Sequence, residues 1–375
     1  MNVTLTSGNI TLEQHYINEN FANVEDLIAF ANRKNENRGF LFVSKLLGKH
    51  IPVRPSVMER AYEVLASEIS SNKPAMVVGL AETATGMGAG IAHQLTNEKV
   101  IFQHTTRCDL PGFDRLFEIS EAHSHAVGHI VYAPSSQIAE EMNAAEQLVL
   151  IDDEITTGNT LRQLAKAYLE YLPRVNEINI VSLLSWLDAD KFDVFVSDIT
   201  SYCEDNGLTV PSIKQNCLYN GAFDFQANPE YRETLPVKAH RSESKLECAH
   251  NLGRLPVRMT HICTSKYVKQ ITELAKNNPN KPISIIGTGE NMFIPYLVAS
   301  SLEFQGYDVT IQSTTRSPIL VDGDVIKNCT VIPMQDNGDY EHYIYNVNAD
   351  ALNVVVTETG NNEDLIRYSH IGYVI

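Results

Sequence analysis

No apolar run in this sequence is long enough to cross a bilayer, and the first residues, MNVTLTSGNI, carry no basic stretch of the kind that opens a secretory leader. Neither a membrane span nor export is expected, and the cytoplasm is the expected compartment. The six cysteines, at 108, 203, 217, 248, 263 and 329, form no CxxC pair. Such scattered usage fits reduced, buried thiols and excludes a disulfide framework. Clusters of lysine and arginine are missing as well. Lys and Arg number 29 against 46 Asp and Glu, for a formal net charge of -17, which opposes the phosphate neutralisation that nucleic-acid binding requires. What is present is ample apolar material: 375 residues at 43% hydrophobic content suffice for two globular domains with their own cores.

The most informative segment is Leu148 to Thr160, LVLIDDEITTGNT. Leu148 to Ile151 is an apolar run without alternation, as expected of a parallel strand buried on both faces. Its tip should lie at the ligand-binding edge of the sheet. Beyond the loop, Leu161, Leu164, Ala165, Tyr168, Leu169 and Leu172 follow the i, i+3, i+4 spacing of one helix face. Thr156 to Thr160 therefore sits at a helix N-terminus, where free N–H groups and the positive dipole end gather. Thr156, Thr157 and Thr160 add hydroxyl donors around Gly158, and Asn159 completes the loop. A phosphate monoester fits there, while Asp152 and Asp153 can accept hydrogen bonds from a vicinal diol. The pattern describes a socket for a ribose 5-phosphate. A Walker loop is excluded because no Gly-Lys-Ser/Thr follows, and a dinucleotide loop because GxGxxG is absent here. An acid pair that merely caps the helix is the plainer alternative, but one acid would suffice for a cap and the hydroxyl cluster would go unexplained.

LVLIDDEITTGNT resembles the phosphoribosyl-diphosphate signature of type I phosphoribosyltransferases at nearly every position. Glu154 departs from it, standing where the family usually has an aliphatic. Upstream, Ala75 to Leu80 reads as a strand running into AETATGMGAG. The resemblance implies that this loop grips diphosphate, with Ala81, Glu82 and Thr83 as its residues and Glu82 facing the magnesium hydration shell. A further strand, Val100 to Gln103, ends in His104-Thr105-Thr106-Arg107. Arg107 then stands where the family has a basic residue against the diphosphate, and a surface arginine is the alternative. Cys108 to Ser136 is longer than an ordinary connection. The resemblance makes it a mobile catalytic loop, with Glu118, Glu121, His123, His125 and His129 as acid/base candidates, of which Glu121, His123 and His125 stand first. A zinc site on His123, His125 and His129 would need a thiolate or a matching partner motif, and none accompanies them. Ahead of the core strands, RGFLFVSKLLGKHIP (38–52) has the place of the family's hood over the acceptor. Solvent exposure is the expectation for Lys49; Lys45 and His50 stay open.

Apolar patterning thins between Asn206 and Arg258, which places a domain boundary there. From Pro282 a new strand, loop, helix, strand series begins. Gly79 and Glu82 align with Gly287 and Glu290, and Thr105-Thr106-Arg107 with Thr314-Thr315-Arg316. Thr359-Gly360-Asn361 echoes Thr157-Gly158-Asn159, but the paired aspartates have no counterpart. The expectation is a degenerate second copy of the fold, with convergent βαβ geometry as the alternative. Thr315-Arg316-Ser317-Pro318 also resembles the TRSP domain that follows phosphoribosyltransferase-like domains in bacterial tellurite-resistance and stress gene clusters. Glu290, Thr315, Arg316 and Ser317 become the candidate anion site of that domain.

The expected fold is thus α/β, a type I phosphoribosyltransferase-like parallel sheet flanked by helices in residues 1–225 (hood about 1–70), followed by a smaller TRSP-type α/β domain in 226–375. The resemblance implies a cytoplasmic, Mg2+-dependent enzyme, a homodimer, joining phosphoribosyl diphosphate to a small nitrogenous acceptor. Asp152 and Asp153 would hold the metal indirectly. Threonine at 156, where purine-salvage relatives carry an acid, likens the chain to orotate-type members, whose proton transfer involves the mobile loop. Two alternatives remain: a sensor that binds phosphoribosyl diphosphate without turnover, and the reverse reaction on a nucleotide.

Overall fold

The computed structural model describes residues 1–35, 38–70, 72–97, 99–119, 128–233, 244–245, 253–323, 325–333, 341–357 and 372–375. The chain opens with β1 (Asn2–Leu5), β2 (Gly8–Ile17), β3 (Ile28–Asn32) and β4 (Phe40–Ser44), then α1 (Pro55–Ser67), β5 (Ala75–Gly79), α2 (Thr85–Gln94) and β6 (Val100–His104). There follow β7 (Cys108–Asp109), β8 (Arg115–Ile119), β9 (His129–Tyr132), α3 (Ser136–Asn143), β10 (Gln147–Ile155) and α4 (Asn159–Tyr171). Next come β11 (Glu177–Ser185), α5 (Ala189–Asp205), β12 (Ser212–Ala227), β13 (Ser244–Lys245), β14 (Val257–Arg258) and α6 (Ser265–Lys276). The last are β15 (Ile283–Gly287), α7 (Phe293–Phe304), β16 (Val309–Ser313), β17 (Cys329–Pro333), β18 (Glu341–Tyr345), β19 (Leu352–Val356) and β20 (Tyr373–Val374).

The larger sheet has the order β1-β2-β12-β11-β10-β5-β6-β14. Its centre, β12 to β6, is parallel, and β2 and β14 join antiparallel. Val149 to Ile151 pair with Val77 to Gly79 in β5, and all are inaccessible or nearly so, as the unbroken apolar run requires. The helix after the acids buries Leu161, Leu164, Ala165, Tyr168 and Leu169. Together with α5 they cover one face of this sheet. Pro55 fits the first turn of α1, where its missing N–H is no loss.

The smaller sheet has the order β16-β15-β19-β20, all parallel. It repeats the order β6-β5-β10-β11 with the same succession of strand, helix, strand: β5-α2-β6 in the first half and β15-α7-β16 in the second. A hairpin follows in each half, β8-β9 and β17-β18. The fold is α/β throughout, with a smaller second α/β unit. Between the two sheets lies one continuous apolar core that includes Met58, Tyr62 and Ala89 from the first half and Phe293, Ile311 and Val354 from the second. Helices α1, α2, α6 and α7 meet there. A Cβ on Gly86 in α2 would stand 2.7 Å from Met292 Cβ, so only glycine permits this approach.

Each half also lends a strap to the other. Val53, just before α1, bridges antiparallel to Ile311 in β16. In the corresponding place of the second half, Val257 pairs antiparallel with Phe102 in β6. The straps carry related sequences, Leu-Gly-Lys-His-Ile-Pro-Val-Arg (47–54) and Leu-Gly-Arg-Leu-Pro-Val-Arg (252–258).

Candidate functional site

Three chain segments meet at the C-terminal edge of the larger sheet. The first is the end of β10. Asp152 and Asp153 are partly buried there, and the Asp153 N–H donates to Asp152 Oδ1 at 3.0 Å. Burial, then the Asp153 charge, raises the Asp152 carboxyl well above the usual range; burial, then Glu154, raises Asp153 to about 6. Two half-dehydrated acids side by side favour a cation or a hydroxyl-rich ligand. Thr156 and Thr157 are exposed, and Gly158 turns into α4 with φ +69°, where a Cβ would meet the Phe195 ring at 3.2 Å. Gly158 at the N-cap offers no capping side chain, and the Asn159 N–H donates to Thr157 Oγ1 at 3.4 Å.

Glu154, the departure from the signature, has a local role. Its Oε1 accepts from Arg38 Nη2 at 2.7 Å and from Trp186 Nε1 at 3.0 Å. It braces the hood segment against β10. The Trp186 ring packs on Phe42 and Phe223, with centroids 5.0 and 4.8 Å away.

The second segment is the loop after β5, where the Ala81–Glu82 peptide is cis. The Ala81 N–H is used internally, donating to Thr105 Oγ1 at 2.9 Å. Glu82 Oε1 stands 2.7 Å from Lys49 Nζ, which also donates to the Gly289 carbonyl at 2.9 Å. Lys49, expected in solvent, is instead only 3% exposed. The strap carries it into the core, and the carboxylate and carbonyl it meets there satisfy its ammonium. Burial pushes the Glu82 pKa up, but the charges of Lys49, Arg316 and His342 more than offset it and hold the carboxyl at about 2. Lys45 lies at the surface, donating to the Glu25 carbonyl. His50 is buried, its imidazole lowered to about 3 by burial and the neighbouring Lys49 charge.

The third segment is the turn after β6, and the second half copies it bond for bond. The Thr105 N–H donates to the Gly79 carbonyl at 2.9 Å, and the Thr314 N–H to that of Gly287 at 3.0 Å. Ala81 N–H reaches Thr105 Oγ1; Gly289 N–H reaches Thr314 Oγ1 at 2.8 Å. Those hydroxyls stand 2.8 Å from His129 Nδ1 and 3.3 Å from His342 Nδ1. The far ring nitrogens lie 3.5 Å from Arg107 and 3.4 Å from Arg316. Leu110 and Ile319 donate their N–H groups to the hydroxyls of Tyr132 and Tyr345 at 2.6 and 2.7 Å.

The two turns face across to the opposite half. Glu290 accepts from Thr106 Oγ1 at 2.5 Å and from the Arg107 N–H at 2.8 Å, and pairs with Arg254 at 2.9 Å. Arg107 is thus set against the second half's carboxylate, while Arg316 bears electrostatically on Glu82 of the first. Thr315 is buried, and its Oγ1 accepts from the Ser317 N–H at 3.1 Å. By ladder register Val356 lies beside Gly287 as Ile151 lies beside Gly79, so Thr357 occupies the place of Asp152. Glu121, His123, His125 and the 359–361 loop lie outside the described residues; His129 lies within them, as does Glu118, paired with Arg115. Lys49, His342 and Arg254 were not read from the sequence as part of these clusters. The Leu-Gly-Lys and Leu-Gly-Arg strap repeat was the available signal.

Among the described residues no group of three or more His, Cys, Asp or Glu is arranged to hold a metal ion. Magnesium bound through substrate phosphates needs only one or two carboxylates, and the oxygen-only, cation-seeking pair Asp152 and Asp153 meets that requirement. A cavity of about 400 Å³ between α1, β12 and the 187–192 segment contains none of these groups.

A parallel sheet with an acid pair at the tip of one strand, followed by a hydroxyl loop at a helix N-terminus, defines a type I phosphoribosyltransferase-like protein. Residues 27–205 match the phosphoribosyl transferase family model, and residues 253–369 match that of the TRSP domain C-terminal to it. The chain belongs to the phosphoribosyltransferase-like proteins that carry this C-terminal TRSP domain. No curated protein matches it. Among solved structures it is similar to adenine phosphoribosyltransferase from Rhodothermus marinus, at 15% identity over 52% of this chain and 95% of that one, TM-score 0.32. It is also similar to the Trypanosoma brucei adenine enzyme in complex with AMP, pyrophosphate and ribose-5-phosphate, at 12% identity over 60% and 87%, TM-score 0.35. A hypoxanthine phosphoribosyltransferase from Staphylococcus aureus matches at 15% identity over 38% and 69%, TM-score 0.25.

Proposed function

We propose that the first half binds magnesium phosphoribosyl diphosphate and transfers its phosphoribosyl group to a small nitrogenous acceptor, forming a nucleotide-like metabolite. The observation that carries this reading is the acid pair of β10 directly ahead of the hydroxyl-rich loop and N-terminus of α4. The N–H groups and hydroxyls of Thr156 to Thr160 take the 5-phosphate. Asp152 and Asp153 accept from the ribose hydroxyls and hold the metal through the ligand. Magnesium, when bound, neutralises charge on the departing diphosphate. The loop at Ala81, Glu82 and Thr83 lines the diphosphate end, and Arg107 supplies the opposing charge that favours departure. Glu121, His123 and His125 are the acid/base candidates for the acceptor's proton. Residues 1–225 and 226–375 are taken as the two domains, and a stress or tellurite-resistance pathway as the setting.

Calorimetry with phosphoribosyl diphosphate and Mg2+ tests the assignment. Wild-type protein is expected to bind, and the Asp152→Asn, Asp153→Asn double variant to lose binding while staying folded. Equal binding by both would overturn the socket. Diphosphate release on adding a metabolite extract would identify the acceptor by product mass.

A further inference from the structure

The two straps, the two Thr-His-Arg sets and the shared strand order relate the halves as two copies facing each other. In such a pair, what one copy extends belongs to the other's site. The contacts form a continuous path from the first half's loop into the second half's turn. Glu82 bonds Lys49, Lys49 bonds the Gly289 carbonyl, and the Gly289 N–H bonds Thr314 Oγ1. Thr314 meets His342, and His342 meets Arg316 Nε at 3.4 Å. Arg316 and Glu82 are both partly exposed along this path, whereas Lys49 is enclosed within it.

We propose that the TRSP half is the built-in partner of the phosphoribosyltransferase half, and that Arg316 is the guanidinium it supplies to the diphosphate end of the first half's site. The proposal rests on the reading of that site as a phosphoribosyl-diphosphate socket. Arg316 offers a planar, permanently charged fork suited to bidentate phosphate contact. His342 and Thr314 are positioning residues that fix the turn on which it stands. At the opposite crossing Glu290 is held by Arg254, Thr106 and the Arg107 N–H. Thr357 stands where an acid would be needed. Both crossings join the halves, and the one beside Asp152 and Asp153 serves the ligand.

The test titrates the full-length protein separately with inorganic diphosphate in Mg2+ and with ribose 5-phosphate. Arg316→Ala is expected to weaken diphosphate roughly tenfold or more and to leave ribose 5-phosphate unchanged, which also shows that the variant is folded. Arg316→Lys should recover part of the loss, since it restores charge without the fork. An unchanged diphosphate affinity in Arg316→Ala, or an equal loss of both ligands, overturns the proposal. Wild-type binding of ribose 5-phosphate without diphosphate also removes it, leaving the phosphoribosyl reading in place. Arg316-dependent diphosphate binding without ribose 5-phosphate binding upholds Arg316 and removes that reading.

Discussion

Lys49 and Glu82 form a buried ion pair at 2.7 Å whose ammonium also reaches into the opposite half of the chain. Removing one member leaves the other charged and dehydrated, at a cost of about 3–5 kcal/mol. Lys49→Met is therefore expected to destabilise the protein by that amount in urea unfolding. The double variant Lys49→Met, Glu82→Gln should recover much of it, and a loss in the double variant equal to the sum of the single losses would show that the pair is not coupled.

Gly158 holds a left-handed conformation ahead of α4, and a Cβ there presses on Phe195. Gly158→Ala should cost about 1–2 kcal/mol and move the helix N-terminus. Ribose 5-phosphate affinity should fall with it. Unaltered affinity would mean that the loop does not hold the phosphate.

His50 is neutral in the folded chain, its pKa lowered to about 3 by burial and the Lys49 charge. Its folded pKa lies below the ordinary value of 6.5, so protonation favours the unfolded chain. Its contribution is complete above pH 6.5 and declines as pH falls toward 3, approaching about 1.4 kcal/mol per pH unit. Urea midpoints at pH 7.5 and 5 should separate more for wild type than for His50→Gln. Equal separations would assign the acid sensitivity to other groups.

Trp186 is the single tryptophan of the chain, and its indole N–H bonds Glu154, next in sequence to Asp153. Ligand at the acid pair should change its emission. In the Asp152→Asn, Asp153→Asn variant the same addition should leave the spectrum flat; a full response there would locate binding elsewhere.

The core between the sheets draws on both halves, with Tyr62 and Tyr296 in ring contact at 5.5 Å and Phe102 and Phe293 at 5.3 Å. Thermal unfolding should thus be one cooperative transition seen alike by tryptophan fluorescence and circular dichroism. Two separated transitions would show that the halves melt independently.

The segment from Leu148 to Leu172 was legible because its signals are local: an apolar run, a turn glycine and a helical stripe, each within a few residues. The matching of Gly287, Glu290 and Thr314 to Arg316 with the first half was legible for the same reason. Lys49 was misread because its partners, Glu82 and the Gly289 carbonyl, lie far along the chain, so an amphipathic segment looked like a solvated one. Strand β12 went unnoticed where apolar patterning thins, since only its middle, at Leu218, Tyr219 and Gly221, is fully buried and its ends are exposed or half-buried as it passes from parallel pairing with β11 to antiparallel pairing with β2. Glu154 stood out in the sequence only as a departure from the signature; it does raise the Asp153 carboxyl, and the proximity of Arg38 and Trp186 reveals the brace.

The straps make Arg254 the counterpart of Lys49, and the ladder register makes Thr357 the counterpart of Asp152, on a single polypeptide. In an assembly of identical subunits any substitution is made twice, once on each flank of the dyad. Here the two flanks are separate codons. A gain on one side is not repeated as a loss on the other, and lopsided specialisation becomes accessible one mutation at a time.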